Sequence, residues 1–201
     1  HLKNRVSFLW IALSASIWIV ACNSGSSVDS ADMGVSGPGT LTNSPIKISD
    51  FLYATPLGNL NPPGHTLPSD HVYFYWVNPD RRTPGDMNVM RDVFAPGSGT
   101  VTLLNGPTPP DVDSKIDVKM TNTFHYYLDH VVLSPGIKVG SSIKAGQVLG
   151  TSSPQAYAVD LGVINDEITL KGLAVPARYP YQTIHSDSPY KYFAQPLRDS
   201  L

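Results

Sequence analysis

The 201-residue chain has one cysteine, Cys22, so no disulfide can form within it, and whatever folds must be held by its apolar core. It has no cluster of lysines and arginines either: 14 basic residues face 16 acidic ones, for a formal net charge of -2. That balance excludes a nucleic-acid partner, because phosphate binding requires a basic surface. Long hydrophobic runs are missing. The apolar stretch Val6 to Val20 falls short of the ~20 residues that a membrane-spanning helix needs. Helical periodicity is scarce as well, and an amphipathic helix is expected only near Tyr190 to Leu201.

The short apolar stretch has a function of its own to suggest. Lys3 and Arg5 precede it and Ile19, Val20, Ala21 and Cys22 close it, which resembles the signal and lipobox of bacterial lipoproteins. The resemblance implies a signal peptide over residues 1–22 and a lipid on Cys22. It also implies a cell-envelope protein anchored in a membrane and facing the periplasm or the exterior. A cysteine buried as a small hydrophobe is the alternative reading. Residues 23–44 are rich in Ser, Gly, Thr and Asn and poor in large apolar side chains, so a flexible tether is expected, spanning roughly 25 Å as a random coil. Residues 45–201 are long enough for one domain with a proper core.

Within that domain, alternation of period two outnumbers helical patterning. His71 to Val77 reads as a strand with Val72, Phe74 and Trp76 on one face and His71, Tyr73 and Tyr75 on the other. Val93 to Leu104 gives a Pro-Gly turn and a strand, and Ile116 to Met120, Phe124 to Leu133 and Ala158 to Ile164 follow. Eighteen prolines and sixteen glycines punctuate these runs, so the fold is expected to be all-β. Gly136, Gly140 and Gly146 stand where turns ask for positive φ.

The run Gly136 to Gly150, with the strand Ala158 to Val163 after it, resembles the second half of the lysostaphin-type zinc peptidases, which cut peptide cross-links in peptidoglycan. The segment Val93 to Val101 resembles the same family's strand-turn-strand, and the resemblance covers roughly residues 64–165. It implies a duplicated hybrid motif, with antiparallel sheets forming a curled sandwich around an open groove. It further implies a zinc site. Gly64 to His71 stands where the family carries its first metal motif, and the final strand reads Ala158, Val159, Asp160 where the family has His-x-His. By resemblance the metal ligands are His65, Asp70 and Asp160, and His130 matches one catalytic histidine; His71 or His125 is the candidate to substitute, from a different backbone position, for the catalytic histidine absent at Ala158. Alternation places Asp160 with Ala156, Ala158 and Gly162, opposite the core-facing Val159, Leu161 and Val163.

A catalytic zinc takes three protein ligands and lowers the pKa of a bound water to ~7. An aspartate can serve as a ligand, but Ala158 can neither position water nor stabilise an oxyanion. Three readings therefore stay open. In the first, the domain is a degenerate relative that binds wall peptide or a partner hydrolase. In the second, it is an active zinc endopeptidase with an altered His, Asp, Asp ligand set. An unrelated β-sandwich is a third. Each residue also has a bland role: His65 in a loop, Asp70 capping backbone amides, His71 hydrogen-bonded among tyrosines, and Asp160 and His130 as satisfied strand residues. His185 and Asp187 read as loop residues.

Overall fold

A computed structural model describes residues 35–58, 69–78, 89–106 and 113–201. His65, Cys22, the signal segment and the first part of the expected tether lie outside the described residues. Among the described residues, ten short strands pair antiparallel throughout into one open sheet. They are β1 (Tyr53–Ala54), β2 (Val72–Tyr75), β3 (Asp92–Phe94), β4 (Gly99–Asn105), β5 (Ser114–Lys119), β6 (Phe124–Leu133), β7 (Ser142–Ile143), β8 (Val148–Ser152), β9 (Ala158–Asn165) and β10 (Ser186–Asp187). The order across the sheet is β1-β2-β9-β6-β5-β4-β7; β10 flanks β9, and β8 joins β6 to β3. This is the all-β architecture that the alternating sequence demands.

The ten-residue β6 holds the sheet together. Its first half lies between β5 and β9, and from Val131 onward its partner on the β9 side becomes β8. One face of β2, β9 and β6 carries Val72, Phe74, Val159, Leu161, Val163, Tyr126 and Leu128 into a core from which water is excluded. Burial of a large apolar side chain contributes about 1.5–3 kcal/mol, so this layer, with no disulfide to help it, is what drives the fold. Gly136, Gly140 and Gly146 have φ of +94°, +86° and +76°, the left-handed turn conformations expected of them.

Two stretches differ from expectation. Residues 35–44 fell in the expected tether, yet Leu41 is fully buried and its neighbours are tied down: Leu41 N–H donates to Tyr192 O at 2.8 Å and Thr42 N–H to Pro96 O at 2.8 Å. One buried leucine in a polar segment is enough to recruit it to the core. Near the C-terminus, the single helix expected over Tyr190 to Leu201 is split into a 3-10 turn at Pro189–Lys191 and a short helix, α2, at Leu197–Ser200. Pro196 ends any continuous helix because it has no N–H to donate. A second short helix, α1 (Tyr181–Ile184), packs beside the candidate site.

Candidate functional site

Strand register assembles the centre of the site. Asp160 on β9 lies opposite Tyr73 on β2 and opposite Asp129 on β6, while Gly162 lies opposite Tyr127. Because a strand alternates its side chains, His71, Tyr73, Tyr75, Ala158, Asp160, Gly162, Tyr127 and Asp129 share one face, the reverse of the core. His71, Tyr73, Tyr75 and Tyr53 form a continuous row of rings, with successive centroids 4.8, 5.5 and 5.0 Å apart.

His130 joins this face by a departure from alternation. A regular strand would send it to the core side with Tyr126 and Leu128. Instead its φ is +65°, an uncommon conformation for a residue with a Cβ, at the point where β6 exchanges β9 for β8. The backbone is held there: His130 N–H donates to Asp129 Oδ1 at 2.8 Å, and Ser153 N–H donates to His130 O at 2.8 Å.

The result is a chain of alternating imidazoles and carboxylates. His71 Nδ1 donates to Asp70 Oδ1 at 2.9 Å and lies 3.1 Å from the Tyr127 hydroxyl, which itself donates to Asp70 Oδ1 at 3.0 Å. Thr183 of α1 donates to the other Asp70 oxygen at 2.8 Å. On the far edge of the ring, His71 Nε2 stands 3.2 Å from Asp160 Oδ2. His130 Nε2 approaches the same oxygen at 3.6 Å, and its Nδ1 is 2.8 Å from Asp113 Oδ2. Tyr127 reaches Asp70 only because Gly162 opposite has no side chain: a Cβ there would stand 2.1 Å from Tyr127 Cε1.

Burial and charge fix the protons. Burial alone would lower the pKa of His71, but its bonds to Asp160 and Asp70 and their charges outweigh that and push it up to about 9. His130 is likewise pushed up to about 9, where burial is outweighed by the bond to Asp113 and the charges of Asp160, Asp113 and Asp129. Burial would raise Asp70, yet hydrogen bonds from His71, Thr183 and Tyr127 hold it well below the usual carboxylate range. Asp160 is raised by burial, with His71 opposing. The shared proton of that pair stays on His71, which has a carboxylate at each ring nitrogen. At neutral pH the site is therefore a proton-bridged ion-pair network.

The sequence-derived candidates are distributed unevenly in this network. His71, Asp160 and His130 converge, whereas Asp70 meets His71 at the opposite ring edge from Asp160, so the imidazole separates two of the three expected ligands. His125 faces Asp166 at 3.8 Å, two strands away from β2. His185 is 2.6 Å from the Ile168 carbonyl, and Asp187 bonds Lys191 and Tyr192 at 2.6 and 2.7 Å, so both are structural. Asp113, Tyr127 and Thr183 were not foreseen. Only Tyr127 was legible, since alternation places it with Asp129.

In kind, the donors suit a divalent metal. Each histidine has Nδ1 fixed by a carboxylate and Nε2 turned to Asp160, the usual support for a metal-binding imidazole, and Asp160 Oδ1 is buried with no hydrogen-bond partner among the described residues. Asp113, Asp129 and His130 also offer ligand atoms within 4.8 Å of one another. Any metal must first displace the protons that both imidazoles hold.

No protein-family model and no curated protein matches this sequence. Among solved structures, Helicobacter pylori Csd3 aligns over 78% of this chain with a TM-score of 0.50 and 15% identity. Lysostaphin in solution aligns over 78% with a TM-score of 0.50 and 14% identity. A further structure, the antimicrobial peptidase lysostaphin from Staphylococcus simulans, aligns over 77% of this chain at 16% identity, with a TM-score of 0.48, and is 54% covered. The chain spans 36% of the Csd3 chain and 58% of the lysostaphin chain seen in solution. Its fold is that of the lysostaphin-type peptidases.

Proposed function

We propose that this domain is a degenerate peptidoglycan-endopeptidase-like module that binds wall peptide, or a partner hydrolase, without cutting it. On this reading the module is held in the cell envelope by a lipid on Cys22. The observation that carries the proposal is Ala158 beside the His71–Asp160 pair. By the resemblance, a methyl group occupies the position from which the peptidases of this fold supply a base or oxyanion donor, and the carboxylate of Asp160 on the same strand lies 3.2 Å from the His71 ring. Losing one such partner costs about 10²-fold or more in rate. The row of rings from His71 to Tyr53 remains as a surface against which an extended peptide can pack.

The test uses purified sacculi. The protein should sediment with them and release no soluble muropeptide, with or without added zinc; failure to sediment would refute the proposal. A second reading, a zinc endopeptidase, is supported by the convergence of His71 Nε2 and His130 Nε2 on Asp160. There His71, His130 and Asp160 would hold the ion, which when bound supplies an activated water. Zinc-dependent release of muropeptides, abolished by Asp160→Ala, would establish it in place of the first.

A further inference from the structure

On the same face of the sheet as the site, beyond Tyr127, lies a pocket of about 410 Å³. Its lining includes Asp117, and Asp117 lies directly across from Tyr127 in the β5–β6 register. Lys115 and Gln182 divide the two sites: Lys115 Nζ stands 3.6 Å above the Tyr127 ring and donates to Gln182 Oε1 at 3.2 Å. The walls are largely apolar, from Leu103, Ile164, Pro180 and the ring of Tyr181.

Asp117 is 8% exposed, and its Oδ2 is buried with no hydrogen-bond partner among the described residues. Nor does any lysine, arginine or histidine among the described residues lie within ion-pair distance of it. A carboxylate left in this state is costly, and a protein retains one where something completes it. Burial raises its pKa, with Lys115 and His125 opposing. His125 beside it is drawn towards Asp166, at 3.8 Å, and Lys115 is turned to Tyr127 and Gln182, so neither basic group bonds to Asp117. The matching ligand has a compact cation with several donors at one end and an apolar stem behind it.

We propose that this pocket binds a primary alkylammonium group, the ammonium meeting Asp117 and the stem lying between Leu103, Ile164 and Pro180. Such a group is offered by a lysine-type side chain in a peptide or by a free diamine. The inference does not depend on the wall-binding reading, since it concerns a separate cavity with its own charge.

The experiment titrates the full chain, observed through methyl and amide signals of Leu103, Asp117 and Ile164, with 1,5-diaminopentane, with Nα-acetyl-lysine methylamide, whose side-chain ammonium is free, and with 1-pentanol. Both amines should bind saturably and the alcohol at least tenfold more weakly. Asp117→Asn, which keeps the shape and removes the charge, should weaken amine binding at least tenfold. Leu103→Lys, which plants an ammonium at the pocket mouth, should block it. Tighter binding of the lysine derivative would assign the group to a peptide, and tighter binding of the diamine to a free amine; both support the proposal. It is overturned if neither amine saturates, if the alcohol binds equally well, or if both variants bind amines as the wild type does.

Discussion

Gly162→Ala is the sharpest probe of the site. An alanine Cβ would lie 2.1, 2.2 and 2.6 Å from Cε1, Cζ and Oη of Tyr127, where carbon contacts normally sit at ~3.5–4.0 Å, so the ring must move by more than 1 Å. The ring cannot move without losing its hydroxyl contacts, 3.0 Å to Asp70 and 3.1 Å to His71. Overpacking costs about 1–3 kcal/mol and a hydrogen bond to a charged group about 1.5–3, so the expected loss is roughly 3–6 kcal/mol. In a Tyr127→Ala background the space is already empty, and the same glycine change should cost less than about 1 kcal/mol. Denaturant unfolding of the wild type, both single variants and the double variant gives the coupling directly. Effects that add to within about 0.5 kcal/mol would refute the claim that Gly162 exists to seat Tyr127.

Stability should also depend on pH on both sides of neutrality. The His71 pKa rises from 6.5 to about 9 on folding, so its contribution is complete below pH 6.5 and lost as the pH climbs through about 9; the span corresponds to roughly 3 kcal/mol. Asp70 is depressed below its ordinary 3.8, so its contribution is present above that value and lost as the pH falls through the folded pKa. Thermal unfolding should therefore show stability declining as the pH rises above 6.5, and His71→Ala should reduce that decline without abolishing it, because His130 is likewise raised to about 9. Leu41→Ala, at a fully buried position in a segment that reads as linker, should cost about 2–5 kcal/mol in denaturant unfolding. A neutral result there would mean that residues 35–44 are not part of the folded unit.

The strands were legible because alternation is strong where one face is buried: Val72, Phe74 and Trp76 against His71, Tyr73 and Tyr75 is the division that the structure shows. The turn glycines were legible because few other residues tolerate their φ. The placement of His130 was not, since a single left-handed residue reverses the face that alternation assigns, and nothing in the local sequence announces it. Asp113 and Thr183 stayed hidden for a different reason. They come from positions 17 residues before His130 and 113 residues after Asp70, and only the folded chain puts them in contact. The expected ligand triad misled in one respect: Asp70 and Asp160 belong to one network but are separated by the His71 ring.

The bridge between Leu41 and Phe193 bears on how the domain carries load. Leu41 N–H bonds to Tyr192 O and Ala194 N–H bonds back to Leu41 O, both at 2.8 Å, so the leading segment is laced to the trailing one across the apolar core. Residues ahead of position 41 are fastened as well: Asn122 N–H donates to Val35 O at 2.9 Å, Gly37 N–H to Thr123 Oγ1 at 2.8 Å and the Thr121 hydroxyl to Gly37 O at 2.6 Å, so tension from that side meets the β5–β6 turn before it meets Leu41. That turn leads directly into β6, the strand whose register with β9 sets Tyr127 and Asp129 against Gly162 and Asp160. Two successive fastenings, at residues 35–37 and at Leu41, must therefore give in turn before a pull on the leading segment can free it from the domain.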